Sequence, residues 1–292
     1  SAKASSSPTK KPTMVTNLDQ IKVSGEDGKA PKVEGAWPLA IAKTESKILK
    51  EGTGEKVDKN ATLKVNYVGV NGRTGKEFDS SYKRGTTADF PLAQVVPGFA
   101  KGLVGKHQGD RVLIMMPGSD GYDSQGGAPQ AGIMKGDSLI FVVDIVAIPL
   151  PKASGETVKP AAGLPTVKEV QGAPAVTIGK ATKPNKLVVQ PLIKGKGAAV
   201  TAHDSIDVKY RTYAWSSGEL IEDGYSGEPV TGSMNSVIPG WKKGLIGQTV
   251  GSRVMLIVPP ADAYPNGSTN PPVKKGETLI YVIDILSAQK ES

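Results

Sequence analysis

VVPGFAKGLVG, Val95–Gly105, decides the reading of this chain, because a near copy, VIPGWKKGLIG, stands at Val237–Gly247. In the first copy Val96, Phe99, Ala100, Leu103 and Val104 recur every three or four residues, which is one face of a helix. Pro97 suits a first helical position, where the amide hydrogen it lacks has no intrahelical acceptor, and Gly105 suits the stop. The stretch predicts one short helix with an apolar stripe that needs a flat surface to pack on.

The surroundings supply that surface. In LKVNYVG (63–69), Leu63, Val65 and Tyr67 alternate with Lys64 and Asn66, the period of a half-buried strand. Val112, Ile114 and Met116 continue the pattern, as do Leu139, Phe141 and Val143. Gly72 and Gly75 punctuate a turn. The expected fold class is α+β, a twisted antiparallel β-sheet wrapped around one short α-helix, built twice.

The duplication runs through the whole unit. LKVNYVG (63–69) aligns with IDVKYRT (206–212), and DRVLIMMP (110–117) with SRVMLIVP (252–259). GDSLIFVVDIVAI (136–148) aligns with GETLIYVIDILSA (276–288), and upstream GKAPKVEG (28–35) resembles GAPAVTIG (172–179). Such a period marks a repeated domain. The expected organisation is a polar tail over 1–14, a first domain over 15–150, a Pro/Ala/Gly-rich linker over 151–164 and a second domain over 165–292. The stretches before each matched core, with Trp37 among them, have no assigned place in this reading.

Composition narrows the function classes. The net charge of +8 falls mainly in residues 1–60 and 151–186, whereas 187–292 carries ten basic and ten acidic residues. A nucleic-acid reader concentrates its charge on a folded face, so no nucleic-acid partner is expected. No apolar run is long enough for a transmembrane helix. The absence of cysteine removes disulfides, thiolate nucleophiles and Cys-type zinc sites together. Acidic residues show no metal-ligand spacing, and GRTGKEF (72–78) fails the phosphate-loop pattern. No cofactor and no metal are expected. The Ser/Lys-rich start suits a spacer after an export signal or a lipid anchor upstream of residue 1. An extracytoplasmic location is therefore expected, with a cytoplasmic one as the alternative.

Taken together, the strand VNYVG, the turn and strand GKEFDSS, the helix VVPGFAKGL, the loop GYD and the strand SLIFVVDI resemble FKBP-type peptidyl-prolyl isomerase domains, the macrolide-binding immunophilins. The resemblance covers about 48–148 and 190–288. It implies a shallow apolar pocket that grips the proline side of an X–Pro bond. In the first repeat it assigns the walls to Tyr67, Phe78, Phe90, Val95, Val96, Ile133 and Phe141, and the floor to Phe99, where the family usually has Trp. Asp79 would be an acidic wall held by Arg84, and Tyr122 would donate a hydrogen bond to the substrate carbonyl. In the second repeat Tyr210, Val237, Ile238, Trp241, Tyr264, Val273 and Tyr281 match. Ile221 replaces Phe78 there, Glu222 replaces Asp79, and no equivalent of Arg84 is evident.

Rotation about an X–Pro bond needs no nucleophile, metal or proton transfer, only relief of a barrier of about 18–20 kcal/mol. The resemblance implies a tandem isomerase that acts on proline-containing unfolded or exported polypeptides, mainly through its first domain, and that also takes macrolide-type ligands. The alternatives are a chaperone-like module that binds through the same pockets without turnover, and a scaffold.

Overall fold

In the computed structural model residues 10–291 are described. They form two compact units that divide between Ile148 and Pro149. The expected tail is shorter than 1–14, because Thr13–Met14 already pairs in parallel with Leu39–Ala40; the rest of that reading, over 1–9, lies outside the described residues.

The sheet of the first unit runs in the order Glu45–Lys50, Arg111–Met116, Leu139–Ala147, Thr62–Asn71, every neighbouring pair antiparallel. The long strand Thr62–Asn71 has two further partners, Glu77–Ser80 along its end and Ala88–Pro91 along its start. Between those two lies a single helical turn, Ser81–Arg84, capped by the Ser80 side chain and closed by Gly85 in the left-handed region.

The opening motif folds as helix Pro97–Leu103, with proline at its first turn. Its two glycines explain its seat. A Cβ on Gly98 would lie 2.4 Å from Met116 Sδ, and one on Gly102 would lie 2.6 Å from Ile114 Cδ1. The helix backbone therefore rests directly on the strand Arg111–Met116, and Phe99 and Leu103 are buried between them. Val104, expected on the apolar stripe, is 40% exposed because the helix ends at Leu103 and the chain turns extended.

The alternation that predicted a half-buried sheet proves incomplete. Leu113, Met115, Ile140 and Val142, which intervene in the inward pattern, are also buried, on the other face. The previously unplaced N-terminal stretch covers them. Val15, Leu18, Ile21, Leu39 and Ile41 pack there, joined by Trp37 and by the facing valines of the hairpin Lys22–Ser24/Lys32–Glu34. The sheet is thus sandwiched between the helix and this cover, which is why its central strands read as continuous apolar runs.

The second unit repeats the plan. Its sheet order is Val188–Gly195, Arg253–Val258, Leu279–Lys290, Asp204–Ala214, Leu220–Asp223, with Val230–Ser233 also on Asp204–Ala214. Helix Pro239–Leu245 fills one face, again through two glycines whose Cβ atoms would strike Val258 and Leu256. The hairpin Thr166–Val170/Ala173–Thr177 covers the other, placing Val167 and Val176 against Met255, Ile257 and Ile280. The segment expected as a linker is partly structural. Gly155–Thr157 adds a strand to the edge of this sheet, and Leu164 packs into the cover.

Candidate functional site

In the first unit the open end of the helix–sheet interface is a cavity of about 290 Å³. Nine of the sequence-predicted residues line it: Tyr67, Phe78, Asp79, Phe90, Val95, Val96, Phe99, Tyr122 and Phe141. Arg84 stands outside the lining and acts through Asp79. Ile133 is 3% exposed and belongs to the adjoining core. Gln94 and Gln125 also line the cavity. Sequence reasoning missed both, since a lone glutamine in a loop carries no pattern.

The aromatic side chains hold one another. Phe99 packs in tilted contact between Phe90 at 4.7 Å and Phe141 at 4.5 Å, and Phe78 meets Phe141 edge-on at 5.6 Å between ring centroids. Gly69 permits this: a Cβ there would come within 2.6 Å of Phe78 and 2.9 Å of Phe141. The Tyr67 backbone N–H donates to Ser81 Oγ at 2.8 Å, so the single turn that follows Asp79 also fixes the tyrosine.

The rim is polar and charge-balanced. The Tyr67 hydroxyl donates to Asp79 Oδ2, Arg84 pairs with Asp79 Oδ1, and the Ser80 N–H donates to that same oxygen at 2.9 Å. The Arg84 guanidinium also lies 5.8 Å from the Tyr67 ring centroid. Burial works against the Asp79 charge, yet the hydrogen bonds from Tyr67 and Arg84 outweigh it and hold the carboxyl below its usual range. Burial, and then the bond to Asp79, push the Tyr67 hydroxyl up to about 12. Burial and the Asp79 charge also raise Tyr122. Among the described residues neither the Tyr122 hydroxyl nor the Val96 N–H has a hydrogen-bond partner. Two donors thus remain unused at the wall of a cavity with an aromatic floor and a polar rim.

The second unit brings its predicted residues together as well. Trp241, Val273 and Tyr281 are buried in one cluster, with Tyr210, Ile221, Val237, Ile238 and Tyr264 packed against it. Trp241 meets Tyr210 at 5.0 Å and Tyr281 at 5.5 Å, both edge-on. Thr212 stands where Gly69 stands in the first unit, and its side chain takes space that Phe78 uses there. Its hydroxyl donates to Glu222 Oε1 at 2.9 Å, and the Tyr210 hydroxyl donates to Glu222 Oε2 at 3.0 Å. Glycine to threonine, phenylalanine to isoleucine and aspartate to glutamate are therefore one linked change. Burial and the neighbouring Glu222 raise both Tyr210 and Tyr264.

Known proteins resemble both units in sequence. The FKBP-type peptidyl-prolyl cis-trans isomerase family matches residues 53–146 and 196–286. A probable FK506-binding protein of Corynebacterium glutamicum is 32% identical over 117 residues, 39% of this chain and 98% of the relative. An FK506-binding protein of Streptomyces anulatus is 40% identical over 100 residues, 34% of this chain and 80% of the relative. Escherichia coli FkpA is 34% identical over 110 residues, 37% of this chain and 39% of the relative. Among solved structures, the three FKBP domains of wheat FKBP73 align over 85% of this chain and 96% of that one, at 19% identity and a TM-score of 0.36. With both repeats matched over more than half of its length, this chain belongs to the FKBP-type peptidyl-prolyl cis-trans isomerases and carries the family's domain twice.

Proposed function

We propose that the first unit carries the isomerase activity, by stabilising the twisted X–Pro amide without a covalent step. The observation that carries this reading is the aromatic cavity with two unused donors on its wall. A proline ring enters the cavity over Phe99. As the amide twists it loses resonance and charge separation, so it fits an apolar, water-poor site better than the planar form does. The Tyr122 hydroxyl and the Val96 N–H hold the flanking carbonyls in place, so that binding energy favours the twisted geometry. Uncatalysed exchange takes on the order of tens to hundreds of seconds. A barrier lowered by ~5 kcal/mol accelerates it several-thousand-fold.

The second unit, in this proposal, binds and positions proline-containing polypeptides and contributes little turnover, since Ile221 and Thr212 replace the aromatic wall. Unfolded or exported polypeptides are the substrates, macrolide-type compounds would enter the first pocket, and an extracytoplasmic location suits a chain without cysteine. The test is exchange-spectroscopy NMR on a short X–Pro peptide with the whole chain. Phe78→Ala should abolish most of the acceleration, while Ile221→Ala should leave it nearly intact. Equal losses in the two variants would overturn the division of labour.

A further inference from the structure

The two units hold their acidic wall residue in different company. In the first, the Asp79 carboxylate accepts from the Tyr67 hydroxyl and is neutralised by Arg84, whose guanidinium also faces the Tyr67 ring. In the second, Glu222 accepts from Tyr210 and Thr212, both neutral, and has no ion-pair partner among the described residues. The neighbouring cation, Arg211, is already committed to both oxygens of Asp223, at 3.1 and 3.0 Å. Gly227 lies five residues beyond Glu222, as Arg84 lies five beyond Asp79, and a Cβ built on Gly227 would meet nothing within 4 Å. The chain therefore shows the same carboxylate-and-tyrosine seat twice, once with a resident cation and once without one.

We infer that the second unit selects polypeptides with a lysine or arginine beside the proline, the incoming cation taking at Glu222 and Tyr210 the place that Arg84 takes at Asp79 and Tyr67. The rings of Tyr210, Trp241 and Tyr281 reinforce this choice. Half-buried Tyr210 is the ring that a cation at Glu222 would face, as Arg84 faces Tyr67, and it is backed edge-on by the buried Trp241 and at 6.2 Å by Tyr281. The first unit, whose rim is already charge-balanced, has no such preference. The inference rests on the reading that the second unit binds proline peptides.

The experiment uses the whole chain and three peptides, Ala–Lys–Pro–Phe, Ala–Glu–Pro–Phe and Ala–Ala–Pro–Phe. Binding is followed at the Trp241 indole N–H in proton–nitrogen spectra, the resonance being assigned with Trp241→Phe. A partly exposed ion pair with a cation–ring contact should make the lysine peptide bind roughly five- to tenfold more tightly than the glutamate peptide. Glu222→Gln should bring that ratio close to one. Gly227→Arg, which supplies a resident cation, should weaken the lysine peptide and spare the alanine peptide. Equal affinities in the unaltered chain, or a preference that survives Glu222→Gln, would overturn the inference and leave the binding reading standing. If no peptide moves the Trp241 resonance, both fall.

Discussion

At the scale of single residues, the pocket depends on an absent side chain as much as on those present. Phe78 and Phe141 occupy the volume above Gly69, so Gly69→Ala should displace Phe78, destabilise the first unit by about 1–3 kcal/mol and slow isomerisation. Denaturant unfolding and peptide exchange measured on one sample check both effects, and an unchanged rate would separate Phe78 from the site. The rim sets the pH behaviour. The Asp79 pKa is depressed in the folded state, so its contribution is complete above the ordinary carboxylate value of about 4 and is lost as pH falls through the lower folded value. The Tyr67 pKa is raised to about 12, so its donated hydrogen bond is complete below its ordinary value and is lost only as pH rises through the folded one. The exchange rate at saturating enzyme should therefore be flat from about pH 5 to about pH 10. A step inside that window would point to a different group. Tyr122→Phe removes an unused donor and no internal bond, so it should lower the rate with little change in melting temperature.

At the scale of elements, the short helix acts as a spacer of fixed thickness. Gly98 and Gly102 set its distance from Arg111–Met116, and that distance sets the height of Phe99 beneath the cavity. Gly98→Ala should cost about 1–3 kcal/mol by forcing Met116 aside, as overpacking of a full core does. Gly240→Ala should cost a similar amount in the second unit, where Val258 is the obstacle. Thermal melts of the two variants test this, and two unchanged transitions would mean that the helices ride higher than described. The turn Ser81–Arg84 has a second anchor. The Tyr82 hydroxyl donates to Asp144, which Arg111 grips through two nitrogens while donating to the Lys29 carbonyl of the N-terminal cover. One polar network thus ties the cover, the sheet and the turn that carries Arg84.

At the scale of the molecule, each unit is a sheet buried on both faces. The family match begins at residue 53 in the first unit and at 196 in the second, so both covers lie outside it. They are nonetheless built like core: Leu39 is 3% exposed and Ile41 is 6% exposed. Leu39→Ala in the cover should destabilise the first unit by about 2–5 kcal/mol, comparable to Leu103→Ala under the helix. Denaturant midpoints of the two variants decide the matter. A cost near zero for Leu39 would make the cover an ornament on a sheet that is stable without it.

By itself the sequence determined the duplication, the helix and its proline start, the inward strand residues and nearly all of the first pocket's lining. The duplication, the helix and the inward strand residues are local or periodic signals that the second copy repeats, whereas the pocket's lining came from the family resemblance, and the second copy departs from it at Ile221 and Glu222. The covers were half legible. GKAPKVEG and GAPAVTIG matched, and each proves to carry the second strand of a cover hairpin, around Val33 and Val176. Two- to five-residue strands have too little period to be read alone, and Leu113, Met115, Ile140 and Val142 merge with their inward neighbours into unbroken apolar runs that show no alternation. The resemblance already set Arg84 against Asp79, and only the tertiary structure decided that Glu222 sits against the Tyr210 and Thr212 hydroxyls. Asp79 and Arg84 are five residues apart, and Glu222 meets Thr212 across a strand pair, so the charge of each pocket is set by how the chain returns on itself. Composition cannot carry that information, because the same carboxylate is balanced or unbalanced according to whether a cation is folded onto it.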